Sequence, residues 1–302
     1  MGGRKARRSD DPSIVGALFI DKPAGMTSHD VVARVRRALG VRRVGHAGTL
    51  DPMATGVLVI GVGPATRLLG IVGAHDKEYT ATIRLGASTT TDDADGEVVS
   101  IADADLVAAI TDHSIRQAVT GFIGSIAQRP SSVSAVKVDG KRSYQRVRDG
   151  EDVELPTRQV QVSVFDVQAI ARGADHIDVQ VRVECSAGTY IRALARDLGE
   201  VLGIGGHLVA LRRTRSGAVR ADECSGLDDV GRDTLRPAAW LARAELPSVD
   251  IDGESARLAR NGTRLALDSS DAEVRALIGP DEDLVAIVDS DGAYRVVFPA
   301  LS

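Results

Sequence analysis

Residues 45–56 read Gly-His-Ala-Gly-Thr-Leu-Asp-Pro-Met-Ala-Thr-Gly, and the one carboxylate among them, Asp51, stands directly before a proline. Proline disfavours the helical region for the residue preceding it, so Asp51 is presented by turn or extended backbone. Gly45, Gly48 and Gly56 permit tight turns or close approach by a ligand. A carboxylate held this way can act as a nucleophile or base if it is ionised, within about 3–3.5 Å of its target and shielded from water. It can equally be a turn residue whose oxygens cap the backbone that follows. Glycosidases usually flank the scissile bond with two carboxylates, and this segment supplies one.

The elements around this turn follow from apolar spacing. Residues 30–40 carry apolar side chains at 31, 32, 35 and 39, the pattern of an amphipathic helix, with Ser28 as the expected N-cap and Gly40 as the terminating glycine. The run Val57-Leu58-Val59-Ile60 reads as a strand, and 61–64 as the turn that ends it. Val179, Val181, Val183 and Cys185 alternate on one strand face. Ile191, Leu194, Leu198, Val201 and Leu202 then recur at helical spacing, which places Tyr190 and Arg192 at a strand-to-helix junction, where side chains can be aimed into a cleft. Residues 125–157 are polar, basic and too long for an ordinary connection, hence a functional protrusion or a mobile insert. Beyond 247, short strand-like pieces at 284–289 and 294–298 suggest a small, separate α+β or β-barrel unit.

Charge is segregated along the 302 residues. The net charge is −5, yet residues 1–50 carry ten basic side chains against four acidic ones, and 129–148 carry six against one. Residues 248–302 reverse this, with eleven acidic side chains and five arginines. Such a pattern fits a positive track for nucleic-acid phosphates beside an acidic region that points elsewhere, although charge runs are also ordinary solvated faces. No apolar run approaches the roughly 20 residues of a membrane span, and the first residues lack a signal-peptide core, so no membrane association and a cytoplasmic location are expected. Cys185 and Cys224 read as buried thiols. No metal is expected: Thr91-Asp-Asp-Ala-Asp-Gly96 lacks carboxylates at the first and last positions of a calcium loop, and the six histidines show no pair at ligand spacing. His29 and His207 read as surface or packing residues.

The segment at 45–56 resembles the active-site motif of the TruB family, the bacterial tRNA pseudouridine-55 synthases. Residues 16–28 (Gly-Ala-Leu-Phe-Ile-Asp-Lys-Pro-Ala-Gly-Met-Thr-Ser), 77–80 (Lys-Glu-Tyr-Thr) and 185–192 (Cys-Ser-Ala-Gly-Thr-Tyr-Ile-Arg) resemble further motifs of that family, in the same order. The resemblance implies an α+β pseudouridine synthase fold with a mixed, largely antiparallel sheet. A catalytic domain would span 14–246, preceded by a basic, disordered 1–13, carrying an RNA-gripping insert at 125–157, and followed by a small PUA-like domain at 247–302. It also implies isomerisation of uridine to pseudouridine, at uridine 55 of the tRNA T loop. That reaction breaks the C1'–N1 bond and remakes it to C5 without redox change, so no cofactor is expected.

By the same resemblance Asp51 is the catalytic residue, and Arg192 its pairing arginine. Tyr79 and Tyr190 are pocket tyrosines, His46 fills the space left by the extruded base, Leu211 is an apolar pocket wall, and Lys22 and Pro23 support the catalytic loop. Arg129, Lys137, Lys141, Arg142, Arg146 and Arg148 would contact the RNA backbone. Ser131 and Val133 depart from the proline and aromatic common in the insert, and the C-terminal region is short and acidic for an RNA-binding appendage, leaving Arg257, Arg260 and Arg264 as its candidate contacts. The expected partner is the T-arm stem-loop of tRNA, bound by a monomer with no obligate protein partner. A non-catalytic RNA-binding protein or RNA-folding chaperone of the same fold is the alternative, and a nucleoside or sugar hydrolase is a third reading.

Overall fold

The structure is a computed structural model, and it describes residues 14–131, 137–138, 141–142, 156–268 and 271–300. The described strands are β1 Gly16–Lys22, β2 Val44–Ala47, β3 Thr55–Val62, β4 Lys77–Leu85, β5 Ala87–Thr89, β6 Val98–Ile101, β7 Gly124–Gln128, β8 Lys137–Val138 and β9 Lys141–Arg142. Then come β10 Arg158–Arg172, β11 Ile177–Cys185, β12 Gly206–Ser216, β13 Val219–Arg220, β14 Ser248–Asp250, β15 Val274–Ile278, β16 Leu284–Asp289 and β17 Tyr294–Val297. Two compact units result, one from 1–74 with 215–302, the other from 75–214.

In the first unit β1 and β2 both pair antiparallel with β3. The apolar run of β3 is buried on two sides. Val57 and Val59 join Ala17 and Phe19 in one cluster, while Leu58, Ile60 and Val62 join Leu18 and Ile20 in another. The second cluster also takes Val31, Val32, Val35 and Leu39 from the helix Ser28–Leu39, so the expected amphipathic face is the packed one. One detail is corrected: the N-cap is Thr27, not Ser28. Thr27 and Asp30 form a reciprocal capping box, whose hydroxyl bond holds the Asp30 carboxyl below its ordinary pKa. Gly40 closes the helix at φ 70°, as its position predicts.

Residues 248–297 of the first unit form a four-stranded sheet in the order β14-β15-β16-β17, parallel only between β14 and β15. Val285, Ala286 and Val288 pack with Leu277 and with Ala256 and Ala259 of the helix Gly253–Arg260. Ala276, Ile278, Leu284, Ile287 and Phe298 instead join the cluster of Phe19, Val57 and Leu241. The C-terminal residues thus have a core of their own and a share in another.

In the second unit the sheet runs β12-β4-β11-β10-β7, with antiparallel pairing of β4 to β11, β11 to β10 and β10 to β7. β11 buries Val179, Val181, Val183 and Cys185, the alternation read from the sequence. Tyr190 stands immediately before the helix Ile191–Val201, at the expected junction. Cys185 is buried but Cys224, in the first unit, is partly exposed, so only one thiol is a core residue. Among the described residues no helix is long and apolar enough to cross a membrane.

Candidate active site

The turn that carries Asp51 begins where β2 ends at Ala47 and the chain reverses at Gly48, φ 75°. Both neighbours of Asp51 are then tied to residues 22–28. The buried hydroxyl of Ser28 donates to the Leu50 carbonyl at 3.1 Å and accepts from the Leu50 N–H at 2.9 Å. On the other side, the Pro52 carbonyl accepts from the Gly25 N–H at 2.9 Å and from Lys22 Nζ at 3.3 Å. Lys22 is fully buried, and its ammonium also donates to the carbonyls of Pro23 at 2.9 Å and Met26 at 2.7 Å. With Leu50 and Ala54 buried as apolar anchors, the half-buried Asp51 is held by its main chain on both sides.

His46 lies in β2 opposite Ile60. Its ring meets that of His29 edge-on, centroids 5.3 Å apart and planes at 79°. The two are seventeen positions apart, a separation at which sequence spacing carries no signal. Among the described residues no cluster suits a metal ion, and this pair is an aromatic contact.

Tyr79, Tyr190, Arg192 and Leu211 belong to the unit 75–214. Tyr79 is a buried residue of β4 paired with Val183, and Leu211 is a buried residue of β12. Tyr190 is half-buried, and the side chain of Gln128 holds its main chain twice: Oε1 accepts from the Tyr190 N–H at 2.7 Å, and Nε2 donates to its carbonyl at 2.9 Å. Arg192 is 5% exposed. Its Nη1 donates to the Thr91 carbonyl at 2.8 Å and lies 3.3 Å from Asp93 Oδ2.

The loop 91–96, which lacks the end ligands of a calcium motif, is therefore the seat of Arg192. Thr91 Oγ1 donates to Asp93 Oδ1 at 2.5 Å, the Asp95 N–H donates to the same oxygen at 3.1 Å, and Thr89 Oγ1 donates to the Asp93 carbonyl at 2.7 Å. These bonds orient a buried carboxylate toward a buried guanidinium, as burial of either charge requires. Sequence reasoning reads Thr89, Thr91, Asp93 and Gly96 only as a loop near the core without a metal, and gives Gln128 no role in the candidate site; no local pattern marks the latter.

Of the residues assigned to RNA phosphates, Arg129 is exposed, and its carbonyl accepts from Arg196 Nη2 at 2.9 Å. Lys137, Lys141 and Arg142 are described only as backbone of the antiparallel pair β8 and β9. Arg146 and Arg148 lie outside the described residues. In the C-terminal region Arg260 pairs with Asp283, and Arg264 lies 3.3 Å from Asp291, so two of its three candidate cations are engaged by the region's own acids.

Residues 36–191 match the family model described as TruB family pseudouridylate synthase (N terminal domain), and residues 192–245 match the tRNA pseudouridylate synthase B C-terminal domain. The chain is 50% identical over 290 residues to tRNA pseudouridine synthase B of Arthrobacter sp. (strain FB24), covering 92% of this chain and 94% of that one. It is also 50% identical over 294 residues to the protein of the same name from Leifsonia xyli subsp. xyli (strain CTCB07), covering 94% and 97%. Among solved structures, a chain of a Cbf5-Nop10-Gar1 complex superposes with a TM-score of 0.71 at 27% identity, over 97% of this chain and 88% of that chain. Since the two family models together span residues 36–245 without a break, and relatives half identical to it align along nearly its whole length, the chain belongs to the TruB family of pseudouridylate synthases.

Proposed function

We propose that this protein isomerises uridine to pseudouridine in tRNA, at uridine 55 of the T loop, with Asp51 as the catalytic carboxylate. The observation that carries the reading is the doubly tied turn. Leu50 and Pro52 are each fixed by bonds from residues 22–28, which presents Asp51 at little further entropic cost when a base arrives. The names of the half-identical relatives supply the substrate class, tRNA.

The reaction detaches uracil N1 from C1' of the ribose and joins C5 to the same carbon, after which C5 gives up its proton and N1 takes one up. Atoms and electrons balance within the nucleotide, so a carboxylate and a pocket suffice. Asp51 serves by attack at C1' or C6, or by taking the C2' proton. Tyr79 and Tyr190 offer aromatic faces to a flipped base and hydroxyls for proton transfer, Leu211 an apolar wall, and His46 a ring for the space the base vacates. Arg192 is assigned as the arginine that pairs with Asp51. Arg129 and the basic side chains of 137–148 are assigned to phosphates, and residues 247–302 to a small C-terminal domain whose RNA contacts rest on a few arginines such as Arg257. The protein acts as a monomer in the cytoplasm, where tRNA is processed.

The test is incubation of purified protein with unmodified tRNA, followed by mapping of pseudouridine. Appearance of one pseudouridine at position 55 supports the reading. Release of free uracil would favour a hydrolase, and binding without modification would favour the chaperone.

A further inference from the structure

The bonds around the helix Ile191–Val201 form a second pattern behind the residues assigned to the pocket. Tyr190 occupies the N-cap position, and no side chain caps the helix there. Its N–H and carbonyl are both spoken for by Gln128, which is 1% exposed and ends β7. One turn along the same helix, Arg196 spreads its guanidinium over three segments. Nη1 is 3.2 Å from Asp92 Oδ2, Nε donates to Asp197 Oδ1 at 2.8 Å, and Nη2 donates to the Arg129 carbonyl at 2.9 Å.

Two arginines four positions apart thus grip one loop: Arg192 holds Thr91 and Asp93, and Arg196 holds Asp92 between them. Asp92 has φ 58°, a left-handed conformation that costs a non-glycine residue energy and that aspartate tolerates better than most. This reversal lies between the Thr91 carbonyl and the Asp93 carboxylate, the two groups that meet Arg192. Residues 128 and 129 are likewise held by two residues of the helix region, Tyr190 and Arg196. Such cross-bracing commits a buried amide and a partly buried guanidinium where apolar side chains would pack without either.

We propose that Gln128, Asp92 and Arg196 are positioning residues for the isomerisation: without touching the uridine, they hold Tyr190 and Arg192 in the geometry that the reaction uses. This rests on the functional reading above. A displacement of about 1 Å can cost on the order of 100-fold in rate, so the loss belongs to the chemical step rather than to RNA affinity. A purely architectural role would lower stability and leave the rate of bound substrate alone.

The experiment uses the full chain and a T-arm stem-loop RNA, measuring Kd, the single-turnover rate at saturating enzyme, and Tm. Gln128→Met, Arg196→Met and Asp92→Asn should each lower the single-turnover rate by about 10-fold or more while Kd stays within about threefold. Arg196→Lys should recover Tm, because its charge still faces Asp92 and Asp197, but not the rate, because a point charge cannot replace the fork that also reaches Arg129. Gln128→Glu, which keeps the acceptor for the Tyr190 N–H, serves if the methionine variant does not fold. Arg84→Gln, which breaks an ion pair with Asp178 in the same unit, is the stability control and should leave the rate unchanged. Rates within about twofold of the parent in folded variants, a loss confined to Kd, or a rate loss shared by the control would each overturn the proposal. An active parent with indifferent variants refutes the positioning role alone, whereas a parent that makes no pseudouridine refutes the functional reading and this inference with it.

Discussion

Replacing Lys22 with methionine probes the brace beneath Asp51. The side chain is fully buried, and its ammonium donates to the carbonyls of Pro23, Met26 and Pro52. Hydrogen bonds from a charged donor contribute about 1.5–3 kcal/mol each, while burial of the ion itself costs several kcal/mol. Methionine of similar length removes both effects and leaves carbonyls without that donor, although Pro52 keeps the Gly25 N–H. The balance is a loss of about 2–4 kcal/mol, which for a chain of this size lowers Tm by roughly 5–15 °C. Because the Pro52 carbonyl is the one adjoining Asp51, turnover should fall as well, by about 10-fold or more at a temperature where the variant is folded. Thermal unfolding by circular dichroism and pseudouridine formation on a T-arm hairpin measure the two effects. A Tm within about 2 °C of the parent with activity within twofold would show that the lysine is not the brace.

Asp51→Asn should lower turnover by roughly 1000-fold or more with RNA binding retained, measured as pseudouridine formed and as Kd; substantial product from the purified variant would remove Asp51 from the mechanism. The paired bonds from Arg84 hold the Asp178 carboxyl below its ordinary range, so the pair stabilises the fold at neutral pH and loses that contribution as pH falls through the lowered pKa. Asp178→Asn should therefore cost about 1 kcal/mol in urea unfolding at pH 7, with the difference between parent and variant shrinking as pH falls through the lowered carboxyl pKa; a difference that stays constant on acidification contradicts the assignment. Neutralising Lys141 and Arg142 should flatten the dependence of log affinity on log salt by roughly 0.7–0.9 per lost contact, and an unchanged slope would make them solvated cations. A chain ending at residue 247 would uncover Phe19 and Leu241 and lose Ile278, Leu284, Ile287 and Phe298 from their shared cluster, each worth about 1.5–3 kcal/mol when fully buried. It should melt well below the full chain or aggregate, and an unchanged Tm would show that the C-terminal residues are energetically separate.

The Asp51 turn is legible in the sequence because proline and glycine constrain backbone wherever they stand. The helix Ser28–Leu39 and the strand β11 are legible because periodicity is a property of the neighbourhood. The braces are not, because each is a polar contact across a long separation. Gln128 meets Tyr190 from 62 positions away and Arg192 meets Thr91 from 101, with no local pattern to mark either. Thr27 and Ser28 show the limit most closely. Both hydroxyls suit an N-cap, and Thr27 takes the role while Ser28 turns inward to Leu50, a choice made by tertiary contact.

The C-terminal region carried a signal that a reading by alternation passes over. A strand with one wet face alternates, whereas Leu284-Val-Ala-Ile-Val288 is apolar without interruption, as Val57-Leu-Val-Ile60 is. Both strands are buried on two sides. In β16, Val285, Ala286 and Val288 face the helix Gly253–Arg260, while Leu284 and Ile287 face the cluster of Phe19 and Leu241. An unbroken run of five in a short sheet therefore asks for a second layer, and a region of some fifty residues cannot supply one from its own chain after spending its one helix on the first. The covering layer is the helix Ala238–Glu245, which packs against β15, β16 and β1 and joins Ala17, Phe19, Val57 and Val59 in the same cluster. Val57 and Val59 lie in β3, which leaves the segment carrying Asp51, and Ala47 ends β2, which enters it, so the C-terminal sheet shares a core cluster with both strands that flank that turn.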